Sequence, residues 1–168
     1  MDAYERIRKY QSGELLPAHT GYPYLDKALL GGFYPQHAVT IGARPGVGKS
    51  YLAQKIMSNV MNVNINPQAD DYVWLRCEFE MNPEDLMLRS LSKKMGKDIQ
   101  DILLNEMSED EVKEMQRCLK EENSSRITYI PKPSTVDELQ NFLWNEYMPI
   151  NKDKKMVFVS IDHTALVQ

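Results

Sequence analysis

Short apolar runs alternate along this chain with segments whose apolar residues recur at helical spacing. The runs that predict strands lie at residues 39–41, 72–77, 126–130 and 156–161. The intervening segments predict helices that begin near residues 25, 50, 83, 109 and 136. Strands that alternate with helices favour an α/β fold, with a mostly parallel sheet covered by helices on both faces.

Local start and stop signals support these helices. Asn82 followed by Pro83 is typical of a helix N-cap with proline at the first helical position. Ser108 and Glu111 have the spacing of a capping box, and Thr135 is placed to cap the next helix. The Gly31-Gly32 pair predicts the C-cap of the short helix near residue 25. The residues before that helix predict either a linker or a docking arm.

Composition restricts the class of protein. The chain has 168 residues, of which 42% are hydrophobic and 26% charged, as expected for one globular domain with a sizeable core. No apolar run approaches the span of a bilayer, and the charged N-terminus does not resemble a signal peptide. Two cysteines and a net charge of −4 favour a cytoplasmic protein without a broad nucleic-acid-binding surface.

A glycine-rich loop follows the first predicted strand and opens the next helix. Glycines let successive backbone N–H groups turn toward phosphate oxygens, and the helix adds the positive end of its dipole. Lys49 can reach the β- and γ-phosphates of ATP, and the Ser50 hydroxyl can coordinate Mg²⁺. The residues predicted to bind nucleotide are Ala43, Arg44, Pro45, Gly46, Val47, Gly48, Lys49, Ser50 and Tyr51. Ala43 occupies a position where the usual pattern has glycine, and it fits if its φ is negative. The alternative is that the segment is an ordinary strand–turn–helix connection in which the sequence Gly-Lys-Ser occurs by chance.

Acidic residues near two strand ends can complete such a site. The last predicted strand ends at Asp162, and ligands of parallel sheets bind at the carboxyl ends of strands, so Asp162 is predicted to hold Mg²⁺ through water. Glu78 and Glu80 follow the second strand and are candidates for the base that activates water. Because they are two residues apart, both lie on one strand face, and spacing does not choose between them. The alternative is that both are solvated acids without a catalytic role.

Several motifs together resemble the ATPase domain of DnaB-type hexameric replicative helicases, which are RecA-like P-loop ATPases. These motifs are Thr20-Gly21 with Leu25-Asp26 and Gly31-Gly32, Ala43-Arg44-Pro45 before Gly48-Lys49-Ser50, Phe79-Glu80-Met81, and Ile161-Asp162-His163. The resemblance predicts a RecA-like ATPase domain over residues 20–168 and a linker or arm over residues 1–19. His163 replaces the family's tyrosine, which is typical of divergent, phage-type members.

The resemblance also implies a function and roles for residues. It assigns the catalytic base to Glu80 rather than Glu78, and it implies an ATP-dependent DNA helicase in the cytoplasm of a bacterium or a phage-infected host. Its partners would be single-stranded DNA and further copies in a hexameric ring. Because the family continues beyond the strand that ends at Asp162, we expect a fold incomplete at its C-terminal end, a second polypeptide, and an isolated chain that can be inactive. The alternatives are a non-catalytic nucleotide-binding or assembly module and a RecA-like recombinase-type ATPase.

Overall fold

The computed structural model describes residues 3–78, 82–122, 126–131 and 135–162. They form two compact units, Met1–Tyr72 and Val73–Gln168. The helical elements of the first unit are α1 (Ala3–Gln11), α2 (Pro23–Ala28), α3 (Lys49–Val60) and a 3₁₀ turn (Ala69–Asp71). Within the described ranges no helix is long and apolar enough to span a bilayer.

Helix α1 contacts the rest of the first unit through an aromatic pair. The Tyr10 ring meets the Tyr34 ring edge-on with 4.5 Å between centroids. The Tyr34 hydroxyl donates a hydrogen bond to the carbonyl oxygen of Leu30 at 2.8 Å, and burial raises the pKa of Tyr34. The last turn of α1 is therefore fixed near the end of α2, whereas the division of domains at residue 20 stays a prediction.

The end of α2 differs from the predicted glycine cap. The Leu30 N–H donates to the carbonyl oxygen of Lys27, and the Gly31 N–H donates to that of Asp26. The residue in the left-handed conformation is Leu30, with φ of 58°. The hydrogen bonds are those of a Schellman motif, so the helix ends at Ala28 and the left-handed position falls on a leucine, one residue before the predicted glycine pair. Glycine would adopt this conformation at lower cost.

The predicted strand at residues 39–41 is wrong, because these residues belong to no strand. An apolar, β-branched run becomes a strand only when a neighbouring strand supplies ladder hydrogen bonds. No strand in the described ranges pairs with it. The glycine-rich loop is therefore entered from an irregular segment, while the helix after it forms as predicted, with Ile56, Met57 and Val60 buried.

The second unit is built around a parallel three-stranded sheet. Its elements are β1 (Tyr72–Glu78), α4 (Pro83–Met95), α5 (Ile99–Leu104), α6 (Glu109–Glu122), β2 (Ile127–Pro131), α7 (Val136–Phe142), a π-helical turn (Leu143–Tyr147), α8 (Met148–Ile150) and β3 (Met156–Asp162). The strand order is β2-β1-β3, and β1 pairs with β2 in parallel with Arg76 opposite Tyr129. The predicted α/β class with a parallel sheet is thus confirmed.

Strand β1 separates two kinds of side chain by simple alternation. Val73, Leu75 and Cys77 project to one side and pack with Leu139 and Tyr147 in a buried apolar cluster. The other side carries Trp74, Arg76 and Glu78, which are polar or amphipathic and mostly buried. Strand β1 therefore has one apolar face, which packs under α7, and one polar face.

Two of the helix starts follow the signals in the sequence. The Ser108 hydroxyl accepts from the Glu111 N–H at 3.4 Å, while the Glu111 carboxylate accepts from the Ser108 N–H at 2.9 Å. The Thr135 hydroxyl accepts from the Glu138 N–H at 3.2 Å. At α4, proline follows the N-cap as predicted, but the Asn82 side chain makes no capping hydrogen bond.

Candidate nucleotide-binding site

The glycine-rich loop is a turn that requires glycine at two positions. The Val47 N–H donates to the carbonyl oxygen of Arg44 at 3.4 Å, which closes a four-residue turn with Pro45 and Gly46 at its centre. Gly46 has φ of +78°, and Gly48 has φ of +97°. Proline followed by a residue with positive φ is the signature of a type II turn. A Cβ on either glycine would meet nothing within 4 Å, so the backbone conformation, and not crowding, demands glycine there.

The open space around the loop faces the beginning of α3. Gly48 is the N-cap of this helix, and the Leu52 N–H donates to the Gly48 carbonyl oxygen at 2.9 Å, which is the first helical hydrogen bond. A helix start concentrates N–H groups and the positive end of the dipole, and both favour an anion. Val47 is 71% exposed, so a ligand has access to the loop. The loop therefore has the shape and polarity of a phosphate cradle.

The structure places the predicted nucleotide-binding residues together on this loop and the first turn of α3. Ala43 has no positive φ, as the sequence argument required for an alanine at this position. Lys49 and Ser50 are the first residues of α3, and Tyr51 follows them with 60% of its surface exposed. Their contact with a nucleotide remains a prediction.

Helix α3 is tied to the segment that carries the Thr20-Gly21 and Leu25-Asp26 motifs. The Asp26 carboxylate accepts from both the N–H and the hydroxyl of Thr20 at 2.7 Å. The Asn59 amide on α3 donates to the Thr20 carbonyl oxygen at 2.9 Å. Thr20 is fully buried. These motif residues thus have a structural role, which is to hold the helix that begins at the glycine-rich loop.

In the second unit, Asp162 is the last residue of β3, at the carboxyl end where the sequence places it. Glu80 lies outside the described residues. Its rival, Glu78, is engaged by Arg76, whose Nη2 donates to Glu78 Oε1 at 2.6 Å and whose Nε donates to the same oxygen at 3.1 Å. An acid held by a buried guanidinium is poorly placed to accept a proton from water, which weighs against Glu78 as the base.

The donor chemistry suits ATP with a hard cation. Mg²⁺ prefers oxygen ligands and keeps several waters, and the Ser50 hydroxyl and the Asp162 carboxylate are oxygen donors. The described residues contain no group of three His, Cys, Asp or Glu side chains that could hold a metal by itself. Burial raises the pKa of the Cys77 thiol to about 11, with a smaller contribution from Glu78, so this cysteine is a core residue and not a thiolate ligand.

Sequence reasoning missed the polar face of the sheet. The Arg76 guanidinium lies over the Trp74 ring at 4.6 Å and over the Tyr129 ring at 5.0 Å. The Trp74 indole N–H donates to the Ser160 hydroxyl at 2.8 Å. The alternation of Trp74, Arg76 and Glu78 with apolar residues was visible in the sequence. Their contacts also require β2 and β3 to lie beside β1, and local sequence patterns do not predict which strands are neighbours.

Comparisons with known proteins agree with this architecture. The family described as DnaB-like helicase C terminal domain matches residues 18–168. The replicative DNA helicase DnaB of Helicobacter pylori is 26% identical over 132 residues, which cover 79% of this chain and 25% of that protein. The chain therefore spans about a quarter of the length of this curated relative.

Solved structures show the same fold. One of them, described as an ATPase domain, superposes with a TM-score of 0.75 at 20% identity, over 100% of this chain and 60% of the other. A structure of a DnaB-like replicative helicase, solved to study its interactions with primase, gives a TM-score of 0.72 at 20% identity, over 98% of this chain and 38% of the other. At these identities the likeness concerns the fold, while the family match covers most of the sequence. The chain belongs to the DnaB-like helicase C-terminal domain family.

Proposed function

We propose that this chain is the ATP-binding part of a DnaB-like replicative DNA helicase. The observation that carries the proposal is the glycine turn at residues 44–48, which opens directly into the N-terminus of α3. A turn that needs glycine for its conformation, has open space around it and ends at the positive pole of a helix is suited to phosphate. Family membership makes ATP the nucleotide to test first.

Each site residue has a separate role in this proposal. Lys49 places a positive charge on the β- and γ-phosphates, and the backbone of residues 43–48 surrounds them. Ser50 and Asp162 hold Mg²⁺ and its water shell, and Mg²⁺ when bound neutralises charge on the phosphate oxygens. Glu80 orients the attacking water and accepts its proton.

The complete motor is proposed to need more than this chain. In it, further copies assemble as a hexameric ring, and ATP turnover moves single-stranded DNA and unwinds the duplex ahead of it. Support comes from the family match.

Replacing the lysine of the loop tests the ATP site. Lys49→Ala should abolish binding of a fluorescent ATP analogue while the circular dichroism spectrum stays unchanged, because the lysine at the start of α3 contributes charge to phosphate rather than packing to the core. Lys55→Ala, which removes the same charge later in α3, should leave binding unchanged. A folded Lys49→Ala variant that binds as tightly as the wild type would overturn the assignment of the loop.

A further inference from the structure

A polar chain of contacts crosses the sheet of the second unit and ends two residues before Asp162. At its β3 end, the Trp74 indole N–H donates to the Ser160 hydroxyl at 2.8 Å, across 86 residues of sequence. At its β2 end, the Arg76 Nη1 donates to the Tyr129 hydroxyl at 3.2 Å. The contacts therefore join all the strands of the described sheet through β1, the central strand.

The Trp74 indole is held in its plane by Arg76. The guanidinium lies 4.6 Å from the indole centroid and 5.0 Å from the centroid of the Tyr129 ring. Only 3% of the Arg76 side chain is exposed, and Glu78 supplies the opposite charge. A buried charge is tolerated only when it is paired and hydrogen-bonded, so the position of this guanidinium is strongly restrained. A stacked cation also restrains the ring that it covers.

The restrained Trp74 side chain contacts β3, the strand that carries the proposed metal-holding carboxylate. Side chains alternate along a strand, so Ser160 and Asp162 lie on the same face of β3, which is the face that Trp74 contacts from β1. In the described sheet β3 is an edge strand, with β1 on one side. A side-chain hydrogen bond between β1 and β3 near its carboxyl end therefore limits how far that end can shift or twist.

We propose that Trp74 and Ser160 are positioning residues for Asp162, and that their hydrogen bond sets how well this carboxylate holds Mg²⁺. The inference rests on the proposed function, since it requires ATP and Mg²⁺ to bind. It adds residues that neither touch the nucleotide nor belong to its motifs. Groups that orient a metal-holding side chain typically change metal affinity about 10–100-fold when they are removed.

Two conservative variants break this contact without emptying the core. Trp74→Phe keeps an aromatic ring beneath Arg76 and removes the indole N–H. Ser160→Ala removes the accepting hydroxyl from the other side. For each variant, the full 168-residue chain is titrated with MgCl₂ in the presence of a fluorescent ATP analogue, and the analogue's affinity is also measured in EDTA. Binding of Mn²⁺ to the nucleotide complex, followed by electron paramagnetic resonance, gives a direct second readout.

We expect both variants to raise the Mg²⁺ concentration at half-saturation about tenfold, with little change of affinity in EDTA. The melting temperature should stay close to the wild type's for Ser160→Ala and should fall for Trp74→Phe, which leaves a small cavity in place of a buried ring. The double variant should be no weaker than the weaker single variant, because both changes sever the same bond. A purely structural role would lower stability and both affinities together. That result would overturn the inference.

Tyr129→Phe is the matched control, because it removes the hydrogen bond toward β2 and leaves the contact with β3 in place. It should keep the wild-type Mg²⁺ dependence. Asp162→Ala shows how the Mg²⁺ dependence of analogue binding changes when the carboxylate is absent. If wild-type and Asp162→Ala chains show the same Mg²⁺ dependence, the role of Asp162 in the proposed function fails. If Asp162→Ala differs but Trp74→Phe and Ser160→Ala both match the wild type, only the positioning role fails.

Discussion

The side-chain amide of Asn66 pairs with the backbone of His19 in both directions. Its Oδ1 accepts from the His19 N–H at 2.7 Å, and its Nδ2 donates to the His19 carbonyl oxygen at 3.0 Å. The same Nδ2 lies 3.1 Å from the carbonyl oxygen of Val60, at the end of α3. Asn66 is 2% exposed. One buried amide thus joins the segment before α2 to the end of the helix that begins at the glycine-rich loop.

Asn66→Ala should therefore destabilise the first unit. The change leaves backbone groups at His19 and Val60 without their partner, and the buried Val60 carbonyl alone costs about 1–3 kcal/mol when it is unsatisfied. Urea unfolding followed by circular dichroism measures the loss. Asn64→Ala removes an exposed amide two residues earlier and should cost less than about 0.5 kcal/mol. Equal effects of the two substitutions would contradict the role given to Asn66.

Glu111 connects the start of α6 to the end of α4 and gives stability a dependence on pH. The Lys97 ammonium, followed by the N–H and hydroxyl of Ser108, holds the pKa of this carboxyl at about 2, below its ordinary value of 4.5. The native state therefore favours the ionised form more than the unfolded chain does. Stability from Glu111 is fully present above pH 4.5 and is lost as the pH falls toward 2.

The difference in stability between the wild type and Glu111→Gln should follow this window. It should be constant from about pH 7 to 5 and shrink steadily below about pH 4.5, because the wild-type carboxyl then becomes protonated. Since the carboxyl is near the surface, the difference should also shrink in about 1 M salt. Urea titrations at several pH values measure it. Glu109→Gln changes another exposed acid of the same helix turn, and a matching pH dependence in that variant would show that Lys97 and Ser108 are not the cause.

The sequence was sufficient for elements that local chemistry determines. The capping box at Ser108, the cap at Thr135 and the apolar run of β3 involve neighbouring residues, and each appears in the structure. The same holds for the glycine turn, where conformation alone demands Gly46 and Gly48. These features could be predicted because their physical causes lie within a few residues of the chain.

Elements that depend on distant partners could not be predicted. Residues 39–41 have strand-like composition, but composition does not provide the neighbouring strand that a ladder requires. The sequence around Asn66 is polar and names no partner for it, whereas its partner His19 is 47 residues away. Glu78 was a candidate for the catalytic base, yet its carboxylate accepts hydrogen bonds from Arg76. The arginine in turn lies over the rings of Trp74 and Tyr129, which belong to two different strands.

The choice of catalytic base gives a prediction for turnover. Glu80→Gln should retain ATP binding and lose hydrolysis, because an amide keeps the shape of the carboxylate but accepts no proton. Steady-state ATPase rates are measured with and without single-stranded DNA. They are measured on this chain or, where the chain alone is inactive, on a reconstituted assembly that hydrolyses ATP. DNA-stimulated turnover also distinguishes a motor from a module that only binds nucleotide.

Glu78→Gln is the matched control for that experiment. It leaves the buried Arg76 with a neutral partner, so we expect lower stability but continued turnover. Loss of hydrolysis in a folded Glu78→Gln variant, with activity retained in Glu80→Gln, would assign the catalytic base to Glu78 instead of Glu80.

The exposed part of β3 predicts how the purified 168-residue chain behaves in solution. Val157 packs against the apolar cluster beneath α7, but Val159 and Ile161 continue the same strand face and are 42% and 40% exposed. In the described sheet β3 also lies at an edge, and an exposed apolar edge strand favours pairing with another chain. We therefore expect the chain to self-associate or to take up a second polypeptide, as measured by light scattering across a concentration series.

Val159→Lys should reduce the association, whereas Ile150→Lys, which removes an 81% exposed side chain from α8, should not. A wild-type chain that stays a monodisperse monomer at high concentration and unfolds cooperatively with ordinary stability would rule this out.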